Sequence, residues 1–297
     1  MDEHELLAGR FEEHRAHLKA VAYRMLGSLG EAEDAVQEAW LRLGRSDVGA
    51  VENLGGWLTT VVSRLCLDTL RSRATRHEDP LEGGRVPDPV VSRETVTDPE
   101  QQAMLADSVG LALMVVLESL SPAERLSFVL HDMFAVPFDD IAPMLEKSPA
   151  AVRQLASRAR RRVRGRAPTP DPDLGAQRRV VDAFFAAARE GDFEALVSVL
   201  HPDIVLRSDG GVARGRHTVV LNGARTVAGQ ALMFSGASRF VRPALINGVA
   251  GVVVTANGRP LSVMAFTVTD GLIVSIDAIA DPDRLASLDL AGIEADS

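Results

Sequence analysis

Seven arginines lie between residues 150 and 166, and no acidic side chain interrupts them. Guanidinium groups neutralise phosphates and form paired hydrogen bonds with guanine, so such a block could contact a nucleic acid. Apolar residues recur among the arginines at helical spacing, at Val152, Leu155, Ala156, Ala159 and Val163. This spacing predicts a single helix with an apolar stripe on one side and arginines on the exposed side.

The chain as a whole is acidic. It has 297 residues and a formal net charge of −9, a balance that usually argues against nucleic-acid binding. Residues 150–166 contribute +7, however, so the remaining 280 residues carry −16. We therefore expect a protein whose body repels phosphate and whose basic helix attracts it.

Several classes of protein are excluded by composition. Cys66 is the single cysteine, so we expect neither a disulfide framework nor a cysteine-based metal site. The acidic N-terminus is followed by no apolar segment typical of a signal peptide, and no apolar stretch approaches about 18 residues. The sequence predicts a cytoplasmic protein that contacts no membrane and needs neither metal nor cofactor.

Capping signals place the basic helix within a motif. Ser121-Pro122-Ala123-Glu124 is typical of a helix start, and a short helix is predicted over Phe138–Leu145. A turn at Glu146-Lys147 follows, and then Ser148 and Pro149 begin the basic helix. A short helix, a tight turn and a capped basic helix predict a helix-turn-helix, whose second helix enters the DNA major groove.

The chain divides into five predicted segments. Residues 1–75 are helical throughout, and residues 108–166 are helical and contain the helix-turn-helix. Residues 76–107 between them form an acidic linker with too little apolar periodicity to pack. Residues 167–176 are a Pro-rich linker, and residues 177–297 form an α+β domain.

The last segment begins with two predicted helices and continues with strands. Asn247-Gly248, Asn257-Gly258 and Asp270-Gly271 are strong hairpin signals between alternating apolar runs. We expect a curved antiparallel sheet, with Thr218–Phe234 as one intervening helix. Such a sheet could enclose a pocket.

Four sequence motifs resemble those of bacterial sigma factors. Residues 30–40 resemble conserved region 2, and residues 57–68 resemble the helix that reads the −10 promoter element. Residues 120–125 and 152–161 resemble region 4. The chain thus resembles an extracytoplasmic-function (ECF) sigma factor, with region 2 in residues 1–75 and region 4 in residues 108–166.

The C-terminal segment resembles the SnoaL/NTF2-like fold, an α+β cone. The similarity lies in residues 191–196 and 200–203. Asp281-Pro282-Asp283-Arg284-Leu285 and Asp209-Gly210-Gly211 are similar to signatures of the ECF subgroup that carries a fused SnoaL-like domain. The implied fold is therefore two all-α sigma domains, the second a helix-turn-helix, followed by the cone.

The resemblance implies roles for residues in three groups. Contact with the clamp helices of the polymerase β′ subunit is implied for Asp34, Gln37, Glu38 and Trp40. Binding of the −10 element is implied for Asn53, Trp57, Arg64 and Arg71. Binding of the −35 element is implied for Ser148, Ala150, Arg153, Gln154, Arg158 and Arg161. The remaining arginines of the basic helix would touch phosphates or the polymerase β flap.

The C-terminal segment offers candidates for regulation or for binding an unknown small ligand. These candidates are His201, Asp209, Asp281, Asp283 and Arg284. Enzymes of the SnoaL type use His and Asp side chains inside the cone, but the simplest expectation for the His-Pro-Asp turn at residue 201 is a structural cap. Catalytic residues are therefore not assigned.

The resemblance implies a sigma factor that directs the RNA polymerase core to −10 and −35 promoter elements. Its C-terminal domain would be a regulator in cis. Two alternatives remain open at this point. The chain could be a ligand-sensing DNA-binding regulator that acts without polymerase, or a SnoaL-type enzyme with a DNA-binding appendage.

Overall fold

The computed structural model describes residues 3–46, 53–75, 86–93, 110–211, 218–234, 240–256, 259–290 and 293. The chain forms two compact units, and both are discontinuous in sequence. The first comprises residues 1–79, 102–107 and 116–166, and the second comprises residues 80–101, 108–115 and 167–297. Within the described ranges, no helix is long and apolar enough to cross a membrane.

Helices make up the N-terminal half of the chain. They are α1 (Glu3–Leu26), α2 (Leu29–Leu43), α3 (Leu54–Thr75), α4 (Leu111–Glu118), α5 (Pro122–Phe128), α6 (Phe138–Leu145) and α7 (Pro149–Arg166). A π-helical turn, Val129–Met133, continues α5. In the first unit, α1, α2 and α3 pack on one another, while α5 and α6 pack on α7.

Local sequence signals account for the start and the buried face of α2. The Ser28 hydroxyl accepts a hydrogen bond from the backbone N–H of Glu31, which caps the helix. Apolar side chains recur at helical spacing along α2 and are buried at Ala32, Ala35, Val36, Ala39 and Leu43. Burial raises the pKa of the nearby core residue Cys66 to about 12, so this thiol stays protonated and unreactive.

The helix-turn-helix has the predicted caps. Ser121 and Glu124 form a reciprocal capping box at the start of α5. Helix α6 ends at Glu146, which takes a left-handed conformation with φ of 53° although it is not glycine. The Ser148 hydroxyl then accepts a hydrogen bond from the Ala151 N–H and caps α7.

The second unit contains a seven-stranded sheet, and the described residues after 167 also form four helices. The strands are β1 (Val91–Ser92), β2 (Leu200–Asp209), β3 (Thr218–Asn222), β4 (Val241–Ile246), β5 (Val249–Ala256), β6 (Arg259–Thr269) and β7 (Leu272–Ile279). The helices are α8 (Leu174–Glu190), α9 (Phe193–Ser198), α10 (Ala224–Met233) and α11 (Pro282–Ala286). The strand order is β1-β4-β5-β6-β7-β2-β3.

Two expectations about this sheet are wrong. The sheet is mixed, because β2 runs parallel to β7 while its other pairings are antiparallel. Residues Thr218–Asn222 form β3, so the predicted helix starts only at Ala224. The β-branched side chains of Thr218, Val219 and Val220 favour a strand, and Gly223 with φ of 89° separates it from the helix.

The hairpin turns follow the prediction where they are described. Asn247 and Gly248 have φ of 50° and 78°, and Asp270 and Gly271 have φ of 52° and 73°, as a type I′ turn requires. Asn257 and Gly258 lie outside the described residues.

Candidate protein and nucleic-acid interfaces

A groove between α1 and α2 lies on the surface of the first unit. It has a volume of about 260 Å³, and its lining includes Phe11, Arg15, Glu33, Gln37 and Trp40. The rings of Phe11 and Trp40 lie 5.1 Å apart, with Phe11 buried and Trp40 half-buried. The groove therefore offers an aromatic floor to which another helix could bind.

One wall of this groove is charged. Glu33 accepts hydrogen bonds from Arg15, and the Lys19 ammonium lies 3.2 Å from its second carboxylate oxygen. Partial burial by itself would raise the pKa of Glu33, but the hydrogen bonds from Arg15 and Lys19 hold it below its ordinary value. The wall thus remains ionised and can complement a charged partner.

The residues predicted to contact polymerase lie on α2, and the structure divides them between two positions. Gln37 and Trp40 line the groove. Asp34 is exposed beside it, and Glu38 accepts a hydrogen bond of 3.0 Å from Arg42 one turn later. All four therefore belong to one exposed side of a single helix, next to Leu41, whose side chain is 46% exposed.

The residues predicted to bind the −10 element surround the start and the exposed face of α3. This helix begins at Leu54, before the predicted start at Trp57, because the Asn53 side-chain oxygen caps it by accepting the Gly56 N–H at 2.9 Å. A Cβ at Gly56 would lie 2.8 Å from the Asn53 amide nitrogen, so glycine permits this close cap. Arg64 and Arg71 are exposed further along the helix.

Asn53 has a structural role that sequence reasoning missed. We expect Asn53→Ala to lower the free energy of unfolding by about 1 kcal/mol through loss of the cap. Asn53→Asp keeps the capping oxygen but removes the amide donors, so unfolding in urea should match the unchanged chain. If the amide reads a base, Asn53→Asp should nevertheless lower transcription from the chain's own promoters; full output would restrict Asn53 to capping.

The −35 candidates lie where the prediction placed them. Ser148 caps α7, and its neighbours along the exposed face of the helix are Ala150, Arg153, Gln154, Arg158 and Arg161. The opposite face is buried through Val152, Ala156 and Ala159. The side chains in the N-terminal turns of α7 are thus exposed at the positions that contact base edges in a helix-turn-helix.

Two other arginines of α7 form ion pairs inside the first unit. Arg160 donates to Asp132, and Arg162 donates to the buried Glu124 carboxylate at 2.8 Å. Glu124 already completes the capping box of α5, so Arg162 joins the two helices. The sequence had placed both arginines on a solvent-facing surface, since it contains no local signal for partners 28 and 38 residues away.

The second unit holds part of the predicted linker by a buried ion cluster. Arg284 donates to Asp88 through Nε and Nη2, to Asp209 through Nη1, and to the Val86 carbonyl, over distances of 2.6 to 3.1 Å. The three charged side chains are only 11–14% exposed. We name Arg284, Asp88 and Asp209 the linker clamp.

The linker also joins the sheet. Strand β1 pairs antiparallel with β4, and the Val90 carbonyl accepts the Asn247 backbone N–H at 2.8 Å. The Asn247 side-chain oxygen accepts the Val90 N–H at 3.0 Å. Val86, Val90 and Val91 are buried, so the expectation that this linker does not pack is wrong over residues 86–93; its other residues lie outside the described ranges.

The C-terminal candidates do not form one site. His201 and Asp209 lie at opposite ends of β2, about 25 Å apart along an extended strand. The His201 ring accepts the Asp203 N–H at 3.1 Å within β2, so it makes a local bond in a strand and does not cap a helix end. Asp281 caps α11, and Asp283 is exposed. Of the five candidates, Asp209 and Arg284 are brought together, in the linker clamp.

The core between the sheet and helices α8, α9 and α10 is an apolar cluster. The rings of Phe184, Phe185 and Phe266 lie 5.3 to 5.7 Å from one another. Val181, Leu196, Ile276 and other aliphatic side chains complete the cluster. The cluster consists of apolar side chains, but β7 also buries Asp277, whose carboxylate accepts hydrogen bonds from Arg207 at 3.1 Å and from Ser275 at 3.0 Å.

Comparison with known proteins supports the reading of both helical regions. Residues 10–76 match the family Sigma-70 region 2, and residues 110–163 match the family Sigma-70, region 4. The chain is 41% identical to the ECF RNA polymerase sigma factor SigJ of Mycobacterium tuberculosis, over 92% of this chain and 91% of the relative. The probable ECF sigma factor SigI of that species is 36% identical over 97% of this chain and 98% of its own.

A solved structure extends the likeness over both units. The crystal structure of M. tuberculosis SigJ has a TM-score of 0.77 and 39% identity, and the match covers 95% of this chain and 99% of that chain. Region 2, region 4 and its helix-turn-helix define a sigma factor, the subunit through which RNA polymerase recognises promoters. Within that class, the chain belongs to the ECF sigma factors, and its C-terminal part is an α+β unit with a mixed sheet.

Proposed function

We propose that three surfaces of the first unit of this ECF sigma factor bind three different partners: core polymerase, the −10 element and the −35 element. The α2 face with Asp34, Gln37, Glu38 and Trp40 docks on the clamp helices of the polymerase β′ subunit. The start and exposed face of α3 bind the −10 element, and the exposed face of α7 binds the −35 element. Supporting observations are the aromatic groove beside α2 and the exposed arginines Arg153, Arg158 and Arg161 of α7.

We further propose that the second unit regulates in cis by holding the linker. Residues 76–107 connect regions 2 and 4, and in this family such a linker enters the polymerase. A linker engaged as β1 and bound by Arg284 is not available to polymerase at the same time. The single observation that carries this proposal is the buried linker clamp with its distances of 2.6 to 3.1 Å.

The proposed domain boundaries at residues 75, 107 and 166 are kept, whereas the Pro-rich linker proposed over residues 167–176 ends at Asp173, because α8 begins at Leu174. Because β1 lies inside the proposed linker of residues 76–107, that linker belongs physically to the second unit in this conformation. We assign the chain no catalytic residue and no ligand; the core between the sheet and helices α8 to α10 is apolar, and Thr267, Ser275 and Asp277 are also buried in β6 and β7.

Reconstituted transcription tests this function. Core RNA polymerase and the full chain are incubated with linear templates randomised over the −35 and −10 regions, and the transcripts are sequenced. We expect transcripts only when the chain is present, enriched for two sequence elements at a constant spacing. Absence of enriched elements, together with no co-elution of chain and core polymerase, would contradict the proposal.

The same reagents distinguish the alternatives. A regulator that works without polymerase would bind an enriched template tightly by itself, whereas the acidic body of this chain predicts weak binding of free DNA. An enzyme with a DNA-binding appendage would lose function on replacement of His201 or Asp209 without loss of polymerase binding. We expect His201→Ala to transcribe as the unchanged chain does.

A further inference from the structure

The segment before α6 has an irregular backbone that fixes one histidine. The π-helical turn Val129–Met133 is followed by Ala135, whose φ is 55°. The turn brings the Val136 carbonyl to 3.0 Å from Nδ1 of His131. Because a carbonyl oxygen only accepts, Nδ1 carries the proton and donates, so this bond holds the imidazole in one orientation. π-helical turns of this kind often occur at functional sites.

The fixed imidazole packs on the first residue of α6. The rings of His131 and Phe138 are stacked, with centroids 3.7 Å apart and an interplanar angle of 26°. The guanidinium carbon of Arg153 lies over the Phe138 ring, 5.3 Å from its centroid. His131, Phe138 and Arg153 therefore form a stack, and it ends on an exposed arginine in the N-terminal part of α7.

This contact sets Arg153 apart from the other arginines of α7, all of which the structure describes. Arg160 and Arg162 pair with carboxylates, and the guanidinium of Arg153 is the one placed over an aromatic ring. A ring attracts the cation and restricts its planar fork, without using up its hydrogen-bond donors as a carboxylate does. The Phe138 ring thus holds the Arg153 guanidinium in place while its N–H donors remain available for hydrogen bonds to a base.

We propose that Phe138, supported by His131, is a positioning residue that sets the base specificity of Arg153 at the −35 element. Paired hydrogen bonds to guanine require the guanidinium in one plane and direction. An arginine without such support would spread over many rotamers and contact nearby phosphates, which carry no sequence information. The inference rests on the proposed role of α7 at the −35 element.

The test measures base preference at each −35 position. Full-length variants are combined with core polymerase and the randomised template pool, and transcripts are sequenced. Arg153→Ala should abolish the preference at the position that this arginine reads. Phe138→Leu, which keeps an apolar residue but removes the ring, should reduce that same preference by about two- to five-fold. Phe138→Tyr keeps the ring and should restore it.

Matched controls separate positioning from folding. Phe240→Leu makes the same change at a phenylalanine that is 52% exposed in the second unit, and it should leave every preference unchanged. A uniform loss of transcription with Phe138→Leu, or an unchanged preference at the Arg153 position, would overturn the positioning role. If Arg153→Ala itself alters no preference, the proposed −35 contact of Arg153 fails, and that result is distinct from either outcome for Phe138.

Discussion

Replacing Arg284 with methionine should release residues 86–93 from the second unit. Arg284→Met keeps much of the side-chain volume but leaves Asp88 and Asp209 without their shared cation, at sites that are 11–14% exposed. Breaking a buried ion pair in this way costs about 3–5 kcal/mol. The linker forms an edge strand, which β4 and the buried valines also hold, so the cost should appear as local opening and not as unfolding of the whole unit.

Hydrogen exchange checks this expectation directly. The N–H of Val90, which donates to Asn247, should exchange at least a hundredfold faster in Arg284→Met than in the unchanged chain. Arg225→Met is the matched control, because Arg225 pairs with Glu194 where both side chains are at least 70% exposed. Asp88→Asn combined with Arg284→Met should be less harmful than the sum of the two changes, since the residues share one interaction.

Release of the linker should also raise transcription. If engagement of β1 withholds the linker from polymerase, Arg284→Met should give more transcript per chain at limiting sigma factor, whereas Arg225→Met should not. Faster exchange at Val90 with unchanged or lower output would show that the clamp is structural only. That result would contradict regulation by linker capture while leaving promoter recognition intact.

Trp40→Ala should weaken binding to core polymerase by about 30-fold or more. Trp40 is half-buried against Phe11 and lines the groove beside α2, the arrangement typical of an interface residue that contributes about 2 kcal/mol or more. Affinity can be measured by titrating labelled chain with core polymerase. Leu261→Ala is the control, because Leu261 is 47% exposed and lies on β6 of the second unit rather than on α2.

Loss of ring packing against Phe11 has to be separated from loss of docking. Gln37→Ala removes a groove-lining side chain without disturbing the aromatic pair, and we expect a smaller loss of affinity with unchanged thermal unfolding. If Trp40→Ala and Leu261→Ala weaken binding equally, or if neither does so by more than about threefold, the α2 groove is not the docking surface.

The sequence by itself determined the features whose partners are close in the chain. The capping box joins Ser121 to Glu124, the Ser148 cap reaches Ala151, and the Asn247-Gly248 turn joins adjacent strands. Helical spacing also predicted the buried face of α7, at Val152, Ala156 and Ala159. Each of these signals acts over a few residues, so it is readable from residue types alone. The family resemblance added the roles of the two helical regions.

Only the tertiary structure decided which distant segments meet. Arg284 pairs with Asp88, which lies 196 residues earlier in the chain. The residues adjacent to each in the sequence give no signal for this pairing. Strand β1 has only two residues and forms by pairing with the edge of β4. A two-residue strand is too short to show an alternating apolar pattern in the sequence. The parallel pairing of β2 with β7 likewise depends on the position that β7 takes in the sheet, many residues after β2. Local propensities fix helices, caps and turns, whereas long-range pairing is decided by the packing of the completed sheet.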